Sequence, residues 1–290
     1  MTAAHTTSVF APAKINLFLH VGDRRADGYH NICSLAAFAD VGDTVSAAPA
    51  EKLSLTNTGP FARTLDGDDD DNLVMQAAVA LQDWGRAAGR RVDGARLTLQ
   101  KNLPIASGIG GGSSDAAATL KLLNELWHLH SDELAQIGRT LGADVPVCLP
   151  ARASLMEGTG ERLTPCSIPK LPAVLLNPRV SVMTADVFRE LETRTGHATI
   201  VPPTFETPRA FAAWLAKQRN DLQEPAIHIA PTIIDALSEL TATPNCLLTR
   251  MSGSGATCFG LYATKAEATA AAQAIQVRYP HWWIVATELQ

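Results

Sequence analysis

A cluster of glycines between a strand-like and a helix-like segment is the strongest chemical feature of the sequence. Four glycines are followed by two serines and an aspartate: Gly108, Gly110, Gly111, Gly112, Ser113, Ser114 and Asp115. Glycines let backbone N–H groups approach a ligand without a Cβ clash, and a helix N-terminus supplies unpaired donors and partial positive charge. The pattern predicts a phosphate cradle.

Two better-known phosphate motifs do not fit this loop. The chain contains no Gly-Lys-Ser/Thr, which excludes a Walker A loop, and counting from Gly108 puts Ser113 where GxGxxG needs its third glycine. The plain alternative is a flexible connector. Consecutive glycines cost about 1 kcal/mol each relative to alanine if they become helical, and a connector needs no serines at the helix start. Phosphate binding is therefore favoured.

Two further charged residues lie in patterns that permit chemistry. Alternation over residues 9–21 predicts a strand with Lys14 and Asn16 on one face and aliphatic residues on the other. A lysine there could instead extend its amine to solvent. Asp144 lies in a short Gly-Ala-Asp-Val-Pro turn, where an aspartate often has only a turn or capping role. The residue types alone leave these alternatives open.

Other groups with metal-ligand chemistry are interpreted as structural. The acidic run of Asp66 and Asp68 to Asp71 lacks the spacing of an EF-hand, so a solvated loop before a helix is favoured over a calcium site. His128 and His130 have no third ligand nearby in sequence and are expected at a helix end. The five cysteines are scattered without a CxxC pair, which predicts buried thiols and neither a disulfide framework nor a zinc site.

The elements that must position these residues form an α+β pattern. Strands are expected at residues 9–21, 96–103, 173–177 and 282–287. A turn at 23–28 is followed by a strand that runs to residue 37, and a turn at 40–43 is followed by a strand at 44–47. Two further strands, with a loop between them, are expected within 247–262. Helices are expected from Leu73 and at 116–127, 132–141, 185–195, 209–218, 231–240 and 265–278. Closely spaced prolines after Arg162 predict a domain boundary there.

Composition limits the possible partners. Apolar residues make up 46% and charged residues 18%, which indicates a globular chain rather than a disordered one. A net charge of −5 argues against nucleic acid or an anionic membrane as the main partner, although a local pocket can still be basic. The longest charge-free stretch, 251–264, is too short to span a bilayer, and residues 1–13 lack a signal-peptide pattern. A cytoplasmic location is expected.

Several segments, in order along the chain, resemble one enzyme family. The segment 103–117, which contains the glycine cluster, resembles the nucleotide loop of the GHMP small-molecule kinases. Segments 11–17, 25–30, 142–146, 220–222 and 252–260 are similar to one narrower branch of that family. Ile109 stands where leucine is usual and Ser107 precedes the first glycine, but neither removes a backbone donor. The stretch 196–214 aligns with nothing.

This resemblance implies a fold and a reaction. The fold would be α+β with two lobes and the site between them: an N-terminal nucleotide-binding lobe with the glycine-rich ATP loop (1–163) and a ferredoxin-like C-terminal lobe (164–290). The reaction would be ATP-dependent phosphorylation of a free hydroxyl on the methylerythritol part of a CDP-linked polyol, in the non-mevalonate route to isoprenoids. Mg²⁺ should accompany ATP, held largely by phosphates and water.

The same resemblance implies roles for individual residues. Asp144 would accept the hydroxyl proton and Lys14 would hold the reacting groups. Tyr29 would stack on cytosine, with His30 on the base edge and Phe188 on the second face. The remaining residues are Asn16, Gly253 and Gly255 for the substrate, Ser114 as a possible Mg²⁺ ligand, and Lys101, Pro104, Gly108, Gly110, Gly111, Gly112, Ser113 and Ser114 for ATP.

Two alternatives remain at this point. One is another GHMP kinase, for a sugar, homoserine or mevalonate, against which the pair of Tyr29 and His30 argues because it suits a nucleobase. The other is a nucleotide-binding protein without catalysis, against which Lys14 and Asp144 argue. The partners are then a small-molecule substrate and ATP, with no nucleic acid and no membrane. The sequence does not give the oligomeric state.

Overall fold

The structure, a computed structural model of the chain, describes residues 6–26, 28–65, 72–191 and 200–290. Helices and strands both contribute strongly, so the predicted α+β class is confirmed. The chain forms two compact units, each discontinuous in sequence. The first comprises the described parts of Met1–Ala13, Val41–Ile105 and Gly110–Ala151, and the second those of Lys14–Asp40, Ala106–Ile109 and Arg152–Gln290.

Two long strands contribute residues to both units. They are β1 (Thr7–Arg24) and β2 (His30–Ala50), which pair with each other. The predicted turn at 40–43 is wrong, because β2 continues through it. A Cβ at Gly42 would lie 2.2 Å from the Ala11 carbonyl oxygen, so this glycine allows a close backbone approach within a strand rather than a chain reversal.

The first unit packs helices on a small sheet. Its remaining elements are β3 (Ser54–Thr58), a 3₁₀ turn (Ala62–Leu65), α1 (Leu73–Ala87), β4 (Gly94–Gln100), α2 (Gly111–Leu126), α3 (Leu134–Leu141) and α4 (Val145–Cys148). β4 pairs antiparallel with β2, with Thr44 opposite Gln100, and parallel with β3. α1 begins at an N-cap, where the Asn72 side chain accepts a hydrogen bond from the Val74 N–H.

The second unit contains a mainly antiparallel sheet covered by helices. Its remaining elements are β5 (Ser154–Gly158), β6 (Arg162–Pro165), β7 (Leu171–Asn177), α5 (Thr184–Glu190), α6 (Pro208–Leu215), α7 (Gln223–Ile229), α8 (Thr232–Thr241), β8 (Leu248–Met251), β9 (Cys258–Leu261), α9 (Lys265–Arg278) and β10 (Trp283–Leu289). The strand order β10-β7-β9-β8 is antiparallel throughout. Its apolar core includes Val174, Leu176, Ile233, Tyr262 and Ile275.

Helix prediction succeeded best where capping signals were strong. α9 has the predicted bounds, because Thr264 and Glu267 form a reciprocal capping box. α2 begins at Gly111, five residues before its predicted start. α3 begins at Leu134, two residues after its predicted start, and the Glu133 N–H that precedes it donates to Ser131 Oγ. α7 was not predicted.

Some predictions concern residues outside the described ranges. The acidic run at 66–71 lies there, as do Asp27, residues 192–195 of the helix expected at 185–195, and residues 196–199 of the unaligned stretch. The predicted division of the chain at 163/164 concerns lobes that are continuous in sequence, whereas the two compact units are discontinuous, so that division stays a prediction. Within the described ranges, no helix is long and apolar enough to cross a membrane.

Candidate active site

The predicted phosphate cradle coincides with the start of α2. Gly110 is its N-cap in the left-handed region, with φ 61°, which favours glycine. The Ser114 N–H closes the first helical turn onto the Gly110 carbonyl at 2.9 Å. By helix geometry, the N–H groups of Gly111, Gly112 and Ser113 lead the helix without an i−4 partner. This start of a 16-residue helix combines free donors with the positive end of the dipole, as an anion requires.

The two serines of the cradle differ in their surroundings. Ser114 is 2% exposed, and its Oγ donates to the Pro12 carbonyl at 2.6 Å. Its only proton is thus used within the protein, and any Mg²⁺ contact would have to use a lone pair. Ser113 is half-buried and Gly112 is exposed. Ser113 therefore has the more accessible hydroxyl at the helix start.

A second glycine turn holds the residues that precede the cradle. Ser252 Oγ donates to the Gly108 carbonyl at 2.9 Å, and the Thr257 N–H donates to the Ser107 carbonyl at 3.1 Å. A Cβ at Gly108 would lie 2.4 Å from the Ser252 carbonyl oxygen, so only glycine fits there. Gly253 and Gly255, predicted to bind substrate, lie in this buried turn with φ of 55° and 85°. The turn therefore has a structural role in fixing the base of the glycine loop.

The side chain of Lys101, predicted to bind ATP, lies in a buried charge cluster of the first unit. Its Nζ is 2.5 Å from Asp43 Oδ2 and 2.7 Å from Asp115 Oδ2, and all three side chains are at most 3% exposed. Asp43 Oδ1 also accepts from the N–H groups of Asn102 and Leu103 at 2.5 and 2.9 Å. The cluster thereby joins β2, the end of β4 and the first turn of α2.

Burial and charge oppose each other within this cluster. Burial raises the pKa of Asp115 to about 7, with the Lys101 charge opposing the rise and the Asp43 charge adding to it. Burial alone would lower the pKa of Lys101, but the two carboxylates raise it above its usual value. Among the described residues, Asp115 Oδ1 is buried and has no hydrogen-bond partner. A Cβ at Gly111 would lie 3.2 Å from Lys101 Nζ, so the cluster lies directly beside the cradle. Pro104, also predicted to bind ATP, is buried three residues further along the chain.

The two predicted catalytic residues lie in different units. Lys14 is 3% exposed on β1, so it does not extend to solvent, and its N–H donates to the Ile109 carbonyl at 2.9 Å. That bond anchors the glycine loop to β1 within the second unit. Asp144, in the first unit, is half-buried and precedes α4, where Pro146 occupies the first turn. Its carbonyl, rather than its carboxylate, accepts from the Cys148 N–H at 3.4 Å.

The residues predicted to bind the nucleobase lie together in the second unit. Tyr29 is 66% exposed, and its carbonyl accepts from the Arg25 N–H at 2.7 Å. His30 stacks on Phe188 of α5, with ring centroids 5.5 Å apart and an interplanar angle of 25°. The Nδ1 atom of His30 lies 3.3 Å from the Gly22 carbonyl oxygen, and this contact orients the imidazole ring. An exposed tyrosine therefore directly precedes, in the sequence, a histidine that stacks on Phe188.

The histidine pair and the five cysteines, which the sequence indicated to be structural, also lie within the described residues. His128 and His130 lie beyond α2, with φ of 51° and 50°. Within the described ranges, no group of three or more His, Cys, Asp or Glu side chains is arranged to hold a metal ion. All five cysteines are free thiols, but only Cys33, Cys148 and Cys258 are buried, so the prediction that all five are buried is wrong for Cys166 and Cys246.

Sequence reasoning missed several polar residues around this site. Asp43 was placed in a turn, and Asp115, although part of the glycine motif, was given no role. Ser34, fully buried on β2, hydrogen-bonds the Asn16 side chain, and Ser252 hydrogen-bonds its backbone. The one sequence feature that could have identified Asp43 and Ser34 is a polar residue inside an apolar strand segment. That feature does not indicate which residue the side chain hydrogen-bonds.

Comparison with known proteins shows the family of the chain. The N-terminal domain of the GHMP kinases matches residues 72–151, and their C-terminal domain matches residues 205–281. A curated 4-diphosphocytidyl-2-C-methyl-D-erythritol kinase from Cereibacter sphaeroides is 53% identical over 96% of this chain and 97% of its own. Another with that name, from Hyphomonas neptunium, is 49% identical over 99% of this chain and 98% of its own.

Solved structures show the same relationship. A crystal structure of 4-(cytidine 5'-diphospho)-2C-methyl-D-erythritol kinase matches with a TM-score of 0.77 and 34% identity, covering 97% of this chain and 99% of its own. A homoserine kinase from Cytophaga hutchinsonii matches with a TM-score of 0.69 at 19% identity over 99% of this chain and 96% of its own, a likeness of fold alone. The predicted GHMP-kinase fold is confirmed, and the chain belongs to the GHMP kinases and, among them, to the family of 4-diphosphocytidyl-2-C-methyl-D-erythritol kinases.

Proposed function

We propose that this protein transfers the γ-phosphoryl group of ATP to a free hydroxyl on the methylerythritol part of 4-diphosphocytidyl-2-C-methyl-D-erythritol, in the non-mevalonate route to isoprenoids. The observation that carries the proposal is the glycine-rich start of α2, in a chain that is 53% identical over 96% of its length to a kinase named for that substrate. Free N–H donors at a helix start suit the phosphates of ATP.

Phosphoryl transfer through a loose transition state depends mainly on positioning and on charge stabilisation. We assign the proton-accepting role to Asp144, whose half-buried carboxylate is not used to cap α4. Lys14, buried on β1, supplies positive charge for the attacking oxygen and the transferred group. A lysine that is 3% exposed is held more tightly than a surface lysine, which favours a defined position over a solvated one.

ATP binding is assigned to the glycine loop and its neighbours. The N–H groups of Gly111, Gly112 and Ser113 face outward from the start of α2 and suit the phosphates. Gly108 and Gly110 shape the loop through their left-handed backbone. Lys101 and Pro104 border the loop, with Lys101 acting through the charge cluster that holds the first turn of α2. Mg²⁺ would enter with ATP, held by phosphate oxygens and water, with a lone pair of Ser114 as one available ligand.

The substrate is assigned to the second unit. The exposed ring of Tyr29 and the stacked pair of His30 and Phe188 suit a cytosine ring, because a base needs a stacking face and hydrogen-bonding edges. Asn16, with Gly253 beside it, suits the polyol hydroxyls. Gly255 shapes the same turn. The cytoplasmic location stays a prediction.

The decisive experiment mixes the protein, ATP and Mg²⁺ with the CDP-linked methylerythritol and follows the reaction by phosphorus NMR. The expected result is a new phosphomonoester signal with stoichiometric ADP. Homoserine, mevalonate and galactose are offered in parallel reactions. Turnover of one of these instead would support another GHMP kinase activity, and ATP binding without turnover of any would support a nucleotide-binding protein without catalysis.

A further inference from the structure

The backbone of Asn16 is fixed by a serine that also holds the glycine loop. Its N–H donates to Ser252 Oγ at 3.1 Å, and the Ser252 hydroxyl donates its own proton to the Gly108 carbonyl at 2.9 Å. Asn16 and Ser252 are at most 3% exposed. The position of Asn16 is therefore set within the second unit, before any ligand binds.

A second serine fixes the side chain. Asn16 Nδ2 lies 2.7 Å from Ser34 Oγ, and that hydroxyl lies 2.6 Å from the Phe18 carbonyl oxygen. A hydroxyl has one proton, and a backbone carbonyl can only accept, so Ser34 donates to Phe18 and must accept from Asn16. A flipped amide would bring two acceptor oxygens within 2.7 Å of each other. The hydrogen bonds thus determine which end of the amide faces Ser34.

The other end of the amide is then an acceptor without a donor. Among the described residues, none donates a hydrogen bond to Asn16 Oδ1, and a Cβ at Gly253 would lie 3.2 Å from it. A glycine at this position leaves room beside the oxygen. Asn16 is 3% exposed, and an amide oxygen there without a protein donor can accept a hydrogen bond from a ligand, which removes the cost of an unmade bond.

We propose that Ser34 is a positioning residue, which fixes the amide of Asn16 so that Oδ1, and not the NH₂ group, faces a substrate hydroxyl. This inference rests on the proposed function. Ser34 touches no substrate in this arrangement and acts only through Asn16. The chain from the substrate O–H through Asn16 and Ser34 to the Phe18 carbonyl runs in one direction, so each bond polarises the next. The site thereby selects a hydrogen-bond donor on the polyol.

The test combines a serine variant with substrates that lack one donor each. A set of analogues replaces each free hydroxyl of the methylerythritol part by fluorine, which cannot donate. With the parent enzyme, one analogue should lose about 5- to 150-fold in kcat/KM, the cost of a buried unmade bond. In Ser34→Ala the amide can turn its NH₂ group toward the fluorine, so that penalty should fall to less than about threefold. For the natural substrate, KM should rise with a smaller change in kcat, and KM for ATP should not change.

Ser154→Ala is the matched control. Ser154 is 2% exposed on β5, and its Oγ donates to the Arg152 carbonyl at 3.0 Å, whereas the Asn16 hydrogen bonds go to Ser252 and Ser34. The control should keep the full fluorine penalty. Ser34→Cys, with a weak thiol donor and acceptor, serves if the alanine variant does not fold, and it should reduce the penalty partly.

The outcomes separate this inference from the function on which it rests. No turnover of the natural substrate by the parent enzyme would remove the proposed function. Normal turnover with no fluorine penalty at any position, or with an equal penalty in parent and Ser34 variants, would overturn the role of Ser34 alone. A penalty that falls in Ser154→Ala as well would indicate a general loosening of the fold and would equally overturn it.

Discussion

The ammonium group of Lys101 lies 2.7 Å from the carboxylate of Asp115, which joins the end of β4 to the first turn of α2. Asp43 completes the cluster from β2 at 2.5 Å. Lys101 is the one opposite charge for two buried carboxyl groups in this cluster, so removing it leaves both of them uncompensated. The start of α2 thus depends on a buried ionic contact as well as on the glycine sequence.

We expect Lys101→Met to lower the free energy of unfolding by about 3–5 kcal/mol, since it leaves two buried carboxylates facing each other. Urea denaturation monitored by circular dichroism measures this. Lys265→Met is the control, because Lys265 pairs with Glu288 at the surface and such a pair contributes about 0–1 kcal/mol. Equal losses for the two variants would contradict the structural role of the cluster.

Asp144→Asn should lower kcat by about two orders of magnitude or more, because the amide cannot accept the hydroxyl proton. The affinity for an ATP analogue, measured by calorimetry, should hardly change. Asp93→Asn, an exposed aspartate of the same unit, is the control. Lys14→Ala should cause a parallel loss, and the double variant should lose far less than the product of the two. A folded Asp144→Asn enzyme with kcat within about threefold of the parent would refute the assignment.

Gly111→Val should abolish binding of an ATP analogue while the protein stays folded. A Cβ at this position would lie 3.2 Å from Lys101 Nζ, and a branched side chain would also fill the space where phosphate meets the backbone. Gly89→Ala is the control, because a Cβ there meets nothing within 4 Å although its φ is +70°. Unchanged affinity in a folded Gly111→Val protein would place the phosphates elsewhere.

Tyr29→Ala should weaken the cytidine substrate by about 5- to 150-fold and leave stability unchanged, since stacking contributes about 1–3 kcal/mol per base and the ring is 66% exposed. ATP affinity should be spared. Phe10→Ala removes another exposed aromatic ring and is the control. His30→Ala should reduce the preference for a cytidine over a uridine substrate in kcat/KM. Equal use of both bases by the parent enzyme would argue against a nucleobase site.

Alkylation by iodoacetamide at pH 8 should label Cys166 and Cys246 before Cys33, Cys148 and Cys258 in the native protein, as read by mass spectrometry. The first two are half-buried and the other three buried. Burial raises the pKa of the thiols of Cys33, Cys166, Cys246 and Cys258, so less reactive thiolate is present at a given pH and these four should react more slowly than free cysteine. Rates should rise with pH. Rapid labelling of Cys258 would contradict its burial.

The sequence by itself determined the features that depend on neighbouring residues. The glycine cluster before an apolar helix indicated the cradle, alternation put Lys14 and Asn16 on one face of β1, and the capping residues Thr264 and Glu267 set the start of α9. Each of these signals acts over a few positions, through helix capping, strand alternation or the backbone freedom of glycine, and can therefore be recognised without the fold.

Only the tertiary structure decided the contacts between distant residues. Lys101 meets Asp43 across 58 positions, and Asn16 meets Ser252 across 236. The continuous β2 also depended on the fold, because Gly42 and the Ala11 carbonyl come together only when β1 and β2 pair. A buried polar residue must find a hydrogen-bond partner, but its own sequence neighbourhood does not specify which one, since the partner is chosen by the packing of the whole unit.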